Sequence, residues 1–315
     1  MLDCYQLEAF AAVIKHQSFE RAANTLNISR GAISQRIKLL EEMLSTVLLI
    51  RERPDLPTAA GEILLRHVKA LQLMEHDIYQ RIVPDADPRE RAPIAIAVNA
   101  DSLATWFGPL AHRIIAQIQV ALEILVDDQD HTWPMLARGE AIGCISTESK
   151  PSHGFEVVRL GTMEYRCVAT PNFVSTYFPD GLTVRQIVST PAILFNRKDS
   201  LHDVFLEKRF GLKIERYTKH YFPSPVALLD AIRSEKGYGM VPATQAEPML
   251  NCGKLIDLAP SHPILVTLYW HHWKTEPALA KTVTALIVQE AAKALLQTPA
   301  DSEKPAPPPS LVSTV

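Results

Sequence analysis

Basic and amide side chains cluster in one short stretch near the start of the chain. Residues 1–60 carry seven basic and seven acidic residues, but between residues 21 and 40 there are four basic residues and no acidic one. Arginine can present two parallel donors to guanine, glutamine can pair similarly with adenine, and lysine suits a phosphate. The stretch therefore predicts either a helix that reads a DNA groove or an ordinary solvated helix face.

Other reactive side chains form no comparable pattern. The four cysteines lie far apart without a CxxC pair, which excludes a recognisable zinc site and a dense disulfide framework. His271 and His272 are adjacent, so on a strand they face opposite sides and cannot share a metal ion. Since no HExxH, P-loop, GxSxG or GxGxxG pattern occurs, we expect no enzyme, no cofactor and no metal site.

Composition sets the broad class. The chain has 315 residues, 47% of them hydrophobic, and a formal net charge of −3, which is typical of a protein with two or three packed units. No apolar run approaches the roughly 18 residues that a membrane helix needs, and the first thirty residues lack the pattern of a secretory signal. We therefore expect a cytoplasmic protein without a membrane partner.

The first part of the chain is patterned as helices. Apolar residues at helical spacing predict three helices within residues 1–50, the second capped by Ser18 and the third by Ser29. From Thr58 an apolar stripe of about 25 residues predicts a long helix that pairs with a copy of itself. The expected units are a DNA-binding domain at 1–61, a linker helix at 58–83 and a proline-rich hinge at 84–93.

After the hinge, short apolar strands alternate with helices, which predicts a parallel α/β sheet. Strands are expected over 94–98, 122–126, 141–146, 166–170, 193–195, 239–241 and 266–270, and helices over 226–234 and 278–296. The expected units are an effector-binding domain at 93–298, with one subdomain at about 93–165 and 267–298 and the other at about 166–266, and a disordered tail at 299–315.

Residues 1–85 resemble the DNA-binding half of LysR-type transcriptional regulators. The matching stretches are 6–10, 18–19, 21–26, 28–29, 32–37, 39–41 and 58–61. The resemblance implies an α+β multidomain fold: a winged helix-turn-helix, a long linker helix, and an α/β effector domain of two subdomains resembling periplasmic binding proteins. It also implies a recognition helix at 30–38 and a wing at 51–57. The implied DNA contacts are Ser29, Arg30, Ala32, Ser34, Gln35, Arg36, Lys38, Arg51 and Arg53.

From residue 98 onward, the sequence is similar to the arginine- and lysine-responsive LysR-type regulators of amino-acid export. The stretches that carry this similarity are 98–106, 138–140, 177–179 and 268–271. Residues 99–102 are expected to form a loop between a strand and a helix beginning near Leu103, where helix amides and the Ser102 hydroxyl suit an α-carboxylate. A cationic side chain then needs carboxylates. The expected effector contacts, each with capping or a solvated loop as its alternative role, are Asn99, Asp101, Ser102, Asp127, Asp128, Ser146, Asn196, Asp199 and Ser224.

Together these features predict a DNA-binding regulator whose effector is L-lysine or L-arginine. Its expected partners are double-stranded promoter DNA and copies of itself, as a dimer or tetramer, with RNA polymerase as a further candidate. One alternative is a LysR-type regulator that senses another metabolite, because Asn196 is neutral where related regulators carry an acidic residue. The other is a cytoplasmic solute-binding protein or enzyme whose front helices serve dimerisation.

Overall fold

A computed structural model describes residues 2–52, 54–83, 91–118, 120–127, 132–214 and 216–297, with only the backbone described at positions 80, 81 and 127. The first part folds as three helices, a two-stranded hairpin and one long helix. These elements are α1 (Cys4–His16), α2 (Phe19–Leu26), α3 (Arg30–Leu44), β1 (Leu49–Ile50), β2 (Leu56–Pro57) and α4 (Ala59–Ile82).

Side-chain caps fix where these helices begin, as the sequence predicts. The hydroxyl oxygens of Ser18, Ser29 and Thr58 each accept a hydrogen bond from a backbone N–H in the first turn of α2, α3 and α4. Asn27 ends α2 in a left-handed conformation with φ of 53°. The short α2–α3 connection therefore sets the helix-turn-helix geometry that the spacing predicts.

The long helix α4 has two apolar faces, whereas the sequence pattern suggests one. Leu64, Leu65 and Val68 are buried in a core shared with α1 and α3. The other face is between 50 and 72% exposed and contains Ile63, Met74, Ile78 and Ile82. The prediction of a single stripe is wrong because the first turns of α4 also complete the core that α1 and α3 form.

The second part of the chain forms one mixed sheet flanked by helices. Its elements are β3 (Pro93–Asn99), α5 (Ala100–Ser102), a π-helical turn (Leu103–Phe107), α6 (Gly108–Ile118), β4 (Ala121–Asp127), α7 (Trp133–Ala137), β5 (Gly143–Ser146), β6 (Phe155–Ala169), α8 (Pro171–Tyr177), α9 (Val184–Ser189), β7 (Ala192–Leu194), α10 (Leu201–Phe210), β8 (Lys219–Tyr221), α11 (Pro225–Arg233), β9 (Tyr238–Pro242), α12 (Ala243–Asn251), β10 (Ile256–Asp257), β11 (Ile264–Trp273) and α13 (Ala278–Ala294).

The strand order in the described part of the sheet is β4-β3-β5-β11-β6-β9-β7-β8, with β10 also paired to β6. Strand β3 runs parallel to β4 and β5, and β7 runs parallel to β8 and β9. The long strands β6 and β11 are antiparallel to each other and join these two parallel sets. We call the half around β3, β4 and β5 lobe I, and the half around β7, β8 and β9 lobe II.

The long strands differ from the all-parallel expectation. The strand predicted at 166–170 is only the end of β6, which begins at Phe155 and pairs with β11 from Phe155 to Tyr165. A register shift between Leu268 and Tyr269 and a φ of 137° at Gly161 interrupt the ladder midway. One of these two strands passes from lobe I to lobe II and the other returns, so they pair antiparallel. The cleft lies between the two lobes that they connect.

A second correction concerns the predicted loop 99–102. Asn99 is extended, and the helix begins immediately after it at Ala100, so Asp101 and Ser102 lie in the first helical turn. The strand passes straight into the helix because Asn99 itself occupies the capping position, which leaves no loop residue between them. Within the described residues, no helix is both long and apolar enough to cross a membrane.

Candidate functional site

The third helix is anchored by one face and presents polar side chains on the other. Ile33, Ile37 and Leu40 have no exposed surface, whereas Arg30 and Gln35 are exposed. Ser34 and Ala32 are half-buried on the same helix, and Ser29 caps it through the N–H of Ala32 at 3.1 Å. Such a helix can offer donors and acceptors to a groove without losing its packing.

The remaining basic groups of α3 make only weak contacts within the chain. The Arg36 guanidinium lies over the Tyr5 ring, 5.2 Å from its centroid. Lys38 Nζ lies 3.6 Å from Glu42 Oε1, and both side chains are more than half exposed. Exposed pairs of this kind contribute little to stability, so Lys38 can exchange Glu42 for a phosphate.

The β1–β2 hairpin is held against α3 by Glu41, which the sequence analysis does not single out. Glu41 Oε1 accepts hydrogen bonds from the N–H groups of Leu48 at 2.8 Å and Leu49 at 3.4 Å, and Oε2 lies 3.5 Å from Arg51. Arg51 also lies over the Phe19 ring, 5.8 Å from its centroid. Arg53, the other expected wing contact, lies outside the described residues. The hairpin is thus fixed to α3 by one carboxylate.

A cleft lies between the lobes of the second domain. The residues that line it come from several elements that are distant in sequence. Lobe I and β6 contribute Asn99, Ala100, Asp101 and Tyr165, and lobe II contributes Phe195, Asp199, Leu201, Leu228 and Met240. These lining residues include two carboxylates and no lysine, arginine or histidine. The cleft combines negative charge with apolar walls.

Asp101 projects from the first helical turn and is fixed by Tyr165. The Tyr165 hydroxyl donates a hydrogen bond to Asp101 Oδ2 at 2.7 Å. Nearby, the buried atoms Asn99 Oδ1 and Ser102 Oγ have no hydrogen-bond partner among the residues that the structure describes. An unsatisfied buried polar group costs about 1–3 kcal/mol, and such groups beside a cleft are typical of a site that a ligand completes. Of the expected loop residues, Asn99 and Asp101 line the cleft, and Ser102 lies behind them.

Asp199 faces Asp101 from lobe II and is held by backbone amides. Its Oδ2 accepts from Phe195 N at 3.2 Å and its Oδ1 accepts from Leu201 N at 2.9 Å. Asn196 Oδ1 accepts from the N–H groups of Lys198 and Asp199 at 2.7 and 3.0 Å. Asn196 thus shapes the turn that presents Asp199, and it is absent from the lining residues.

Two other expected effector residues, Ser146 and Ser224, make local turn and cap hydrogen bonds and are not among the lining residues. Ser146 Oγ accepts from Glu148 N at 3.1 Å, and Ser224 Oγ accepts from Ala227 N at the start of α11. The backbone of Asp127 pairs in register beside Asn99, and Asp128 lies outside the described residues. The structure brings Asn99, Asp101 and Asp199 together. Tyr165, Phe195, Leu201, Leu228 and Met240 were missed because nothing in their local sequence marks a residue that faces a ligand.

Two buried side chains of lobe II, His202 and Tyr238, are uncharged at neutral pH. His202, next to Leu201, is 1% exposed, and burial lowers its pKa to about 4. Its Nε2 lies 3.4 Å from the hydroxyl of Tyr238, whose own pKa is raised by burial. Because these two groups are neutral, they add no charge to the cleft, and its negative potential comes from its carboxylates.

The paired histidines contact different partners, as expected for neighbours on a strand. His271 Nε2 lies 2.7 Å from the carbonyl of Glu148, and His272 Nδ1 lies 3.3 Å from Glu276 Oε2. Among the residues with described positions, no three His, Cys, Asp or Glu side chains are grouped to hold a metal ion.

Comparisons with known proteins agree with both halves of this architecture. The transcriptional regulator ArgP of Aeromonas salmonicida is 39% identical over 294 residues, covering 93% of this chain and 98% of its own. The crystal structure of ArgP from Mycobacterium tuberculosis superposes with a TM-score of 0.84 at 34% identity, covering 95% of this chain and all of the other.

A second similar structure carries a ligand. Full-length LysG from Corynebacterium glutamicum with bound effector Arg has a TM-score of 0.76 at 33% identity, covering 94% of this chain and all of the other. Residues 5–62 match the bacterial regulatory helix-turn-helix model of the lysR family, and residues 54–292 match the LysR substrate binding domain. These matches favour a regulator over a solute-binding protein or an enzyme. The chain belongs to the LysR family and is a DNA-binding transcriptional regulator.

Proposed function

We propose that the promoter binding of this regulator responds to L-arginine or L-lysine held in the cleft between the lobes. The observation that carries the proposal is the pair of carboxylates, Asp101 and Asp199, in a lining without a basic side chain. A cationic ligand gains from both charges, whereas an anionic one is repelled. The arginine bound to the LysG relative supports the same effector class.

The walls of the cleft fit the rest of a basic amino acid. Phe195, Leu201, Leu228 and Met240 offer apolar surface to the methylene groups of the side chain. Asn99 Oδ1 is an unpartnered acceptor in the same cleft, able to take an N–H from an ammonium or a guanidinium group. The alternative of a regulator that senses a different metabolite depends on Asn196 as a ligand contact. Asn196 instead accepts a hydrogen bond within its own turn and is not among the residues that line the cleft.

A ligand that contacts both lobes favours the closed arrangement, and α4 can pass this change to the DNA-binding domain. Arg66 Nη1 donates to the carbonyl of Ala137 at 2.6 Å and Lys69 Nζ donates to that of Glu140 at 3.1 Å. Ala137 is the last residue of α7 and Glu140 lies between α7 and β5, both in lobe I. A coupling free energy of about 1–3 kcal/mol is enough to shift promoter occupancy.

The proposed partners are promoter DNA and further copies of the chain. The exposed apolar face of α4 supports a dimer in which this face packs against its copy. Such a dimer would present two recognition helices to successive major grooves. Arg30, Ser34 and Gln35 are proposed to contact bases, and Lys38 and Arg51 to contact phosphates. We also propose assembly to a tetramer, contact with RNA polymerase and a cytoplasmic location.

Calorimetry on the full chain tests the effector. We expect micromolar binding of L-arginine or L-lysine, and much weaker binding of citrulline and norleucine, which keep the shape but lack the side-chain charge. Asp101→Asn and Asp199→Asn should each weaken binding about tenfold or more. Asp230→Asn, which removes an exposed carboxylate that pairs with Arg233, is the matched control. Equal binding of arginine and citrulline would contradict the proposal.

A further inference from the structure

The helix that carries Asp101 is not a regular α-helix. Between α5 and α6, residues Leu103–Phe107 form a π-helical turn. A π turn inserts one extra residue into an α-helix, and such turns occur frequently at functional sites. Because each residue of an α-helix advances by about 100°, the insertion rotates the turn before it relative to the helix that follows.

This rotation decides which side chain faces the interior beside the cleft. Phe107, Leu110 and Ile114 form the buried stripe at the start of α6. Continued backwards at α-helical spacing, the stripe would place Leu103 at the next interior position. Instead Ser102 has no exposed surface and Leu103 is half-buried. The wide turn therefore brings a hydroxyl to the interior and aims the neighbouring Asp101 at Tyr165.

Two residues accommodate the wide turn. The Thr105 hydroxyl donates to the carbonyl of Asp101 at 2.7 Å and lies 3.4 Å from that of Ser102. A hydroxyl that bonds a carbonyl one turn back competes with the backbone hydrogen bonds there and often bends a helix. At Gly108, a Cβ would lie 2.9 Å from the carbonyl oxygen of Leu103. Glycine thus leaves room for the carbonyl at the base of the turn.

We infer that Thr105 and Gly108 are positioning residues for the effector, which hold the π turn so that Asp101 points into the cleft. The inference rests on the proposed function, since it assigns these residues to recognition of the basic amino acid. Neither residue is among those that line the cleft. Their effect on affinity must therefore pass through the orientation of the first helical turn.

The test is calorimetric titration of L-arginine and L-lysine into full-length variants. We expect Thr105→Val and Gly108→Ala each to lower affinity at least tenfold, while Thr105→Ser, which keeps the hydroxyl, stays within twofold of the wild type. Thr282→Val is the matched control because Thr282 makes the same hydroxyl-to-carbonyl bond, to Ala278 at 3.1 Å, in the regular helix α13. It should leave affinity unchanged.

The outcomes separate this inference from the proposed function. If Thr105→Val and Gly108→Ala both bind the amino acids as tightly as the wild type does, the positioning role is overturned. The effector assignment is then left intact. Failure of the wild type to bind either amino acid overturns both. Equal losses in Thr105→Val and Thr105→Ser also overturn the positioning role, because the hydroxyl would then be irrelevant. If Thr105→Val does not fold, Gly108→Ala, which keeps Thr105, decides.

Discussion

The recognition helix and the effector cleft use polar side chains in opposite ways. On α3, Arg30 and Gln35 are exposed, and the helix is held by buried Ile33 and Ile37 on its other face. In the cleft, Asp199 accepts two backbone hydrogen bonds from the loop that carries it. The DNA surface therefore keeps recognition apart from stability, while the cleft uses the same groups for both.

This difference predicts how each region responds to substitution. A polar residue removed from α3 should alter DNA affinity and leave folding unchanged, because its side chain packs against little else. A polar residue removed from the cleft should alter folding and effector affinity together, because its loss leaves buried partners unsatisfied. The following measurements test this contrast, beginning with the largest expected effect.

Asp199→Ala should destabilise the effector domain by about 3 kcal/mol, because it removes a charged acceptor from the N–H groups of Phe195 and Leu201. Urea unfolding measures the change. Asp199→Asn keeps one acceptor oxygen, so it should lose less stability while losing most of the effector affinity. Asp230→Ala, at an exposed site, should stay within about 0.5 kcal/mol of the wild type. An equally small effect of Asp199→Ala would break the contrast.

His202 should make the effector domain sensitive to acid. Burial lowers its pKa from 6.5 to about 4 in the folded state, so the unfolded chain binds more protons between these values. The contribution of neutral His202 to the free energy of unfolding is fully present above pH 6.5 and is lost as the pH falls toward 4. Between pH 7 and pH 4.5 this amounts to roughly 2–3 kcal/mol.

The measurement is the unfolding free energy of His202→Gln at the two pH values. The variant should lose roughly 2–3 kcal/mol less than the wild type on acidification. His153→Gln, at an exposed position, should retain the wild-type dependence. Identical pH profiles for His202→Gln and the wild type would show that the acid sensitivity does not come from His202.

The same contrast explains what could be predicted from the sequence. The helices of the DNA-binding domain follow from local signals: the caps Ser18, Ser29 and Thr58 and the apolar spacing of Ile33 and Ile37 all act within one helix. The first residues of α2, α3 and α4 could therefore be predicted from the sequence. The role of Glu41 could not be predicted, because its partners are the N–H groups of Leu48 and Leu49 in a hairpin, and such a contact leaves no periodic pattern in the sequence.

The cleft could be predicted only in part. Asn99 and Asp101 stand at the end of a predicted strand, and strand ends are the expected place for a ligand. Tyr165 lies in β6, whose residues 155–165 are not predicted as a strand because they alternate poorly and include Gly161. The π turn has no sequence signature, since Thr105 and Gly108 are common residues whose effect depends on the surrounding packing.

Arg30→Ala should weaken specific operator binding roughly 10- to 100-fold, the loss of a base contact worth about 1–3 kcal/mol. Its unfolding free energy should change by less than about 0.5 kcal/mol, because the side chain is exposed. Arg185→Ala, at an exposed position in α9, is the control and should bind the operator normally. Gel-shift titration and urea unfolding on the same preparations check both parts, and a destabilised Arg30→Ala would break the separation of recognition from stability.

Lys38→Met should give the smallest effect, a uniform loss of a few-fold in affinity on specific and non-specific DNA alike. A phosphate contact carries no sequence information, and removing it lowers the slope of log K against log salt by about one. Glu42→Gln should act in the opposite direction, because it releases Lys38 from a partner 3.6 Å away. Salt titrations of both variants, with the exposed Lys281→Met as control, measure the slopes. A sequence-dependent loss in Lys38→Met would instead move Lys38 to the base-reading set.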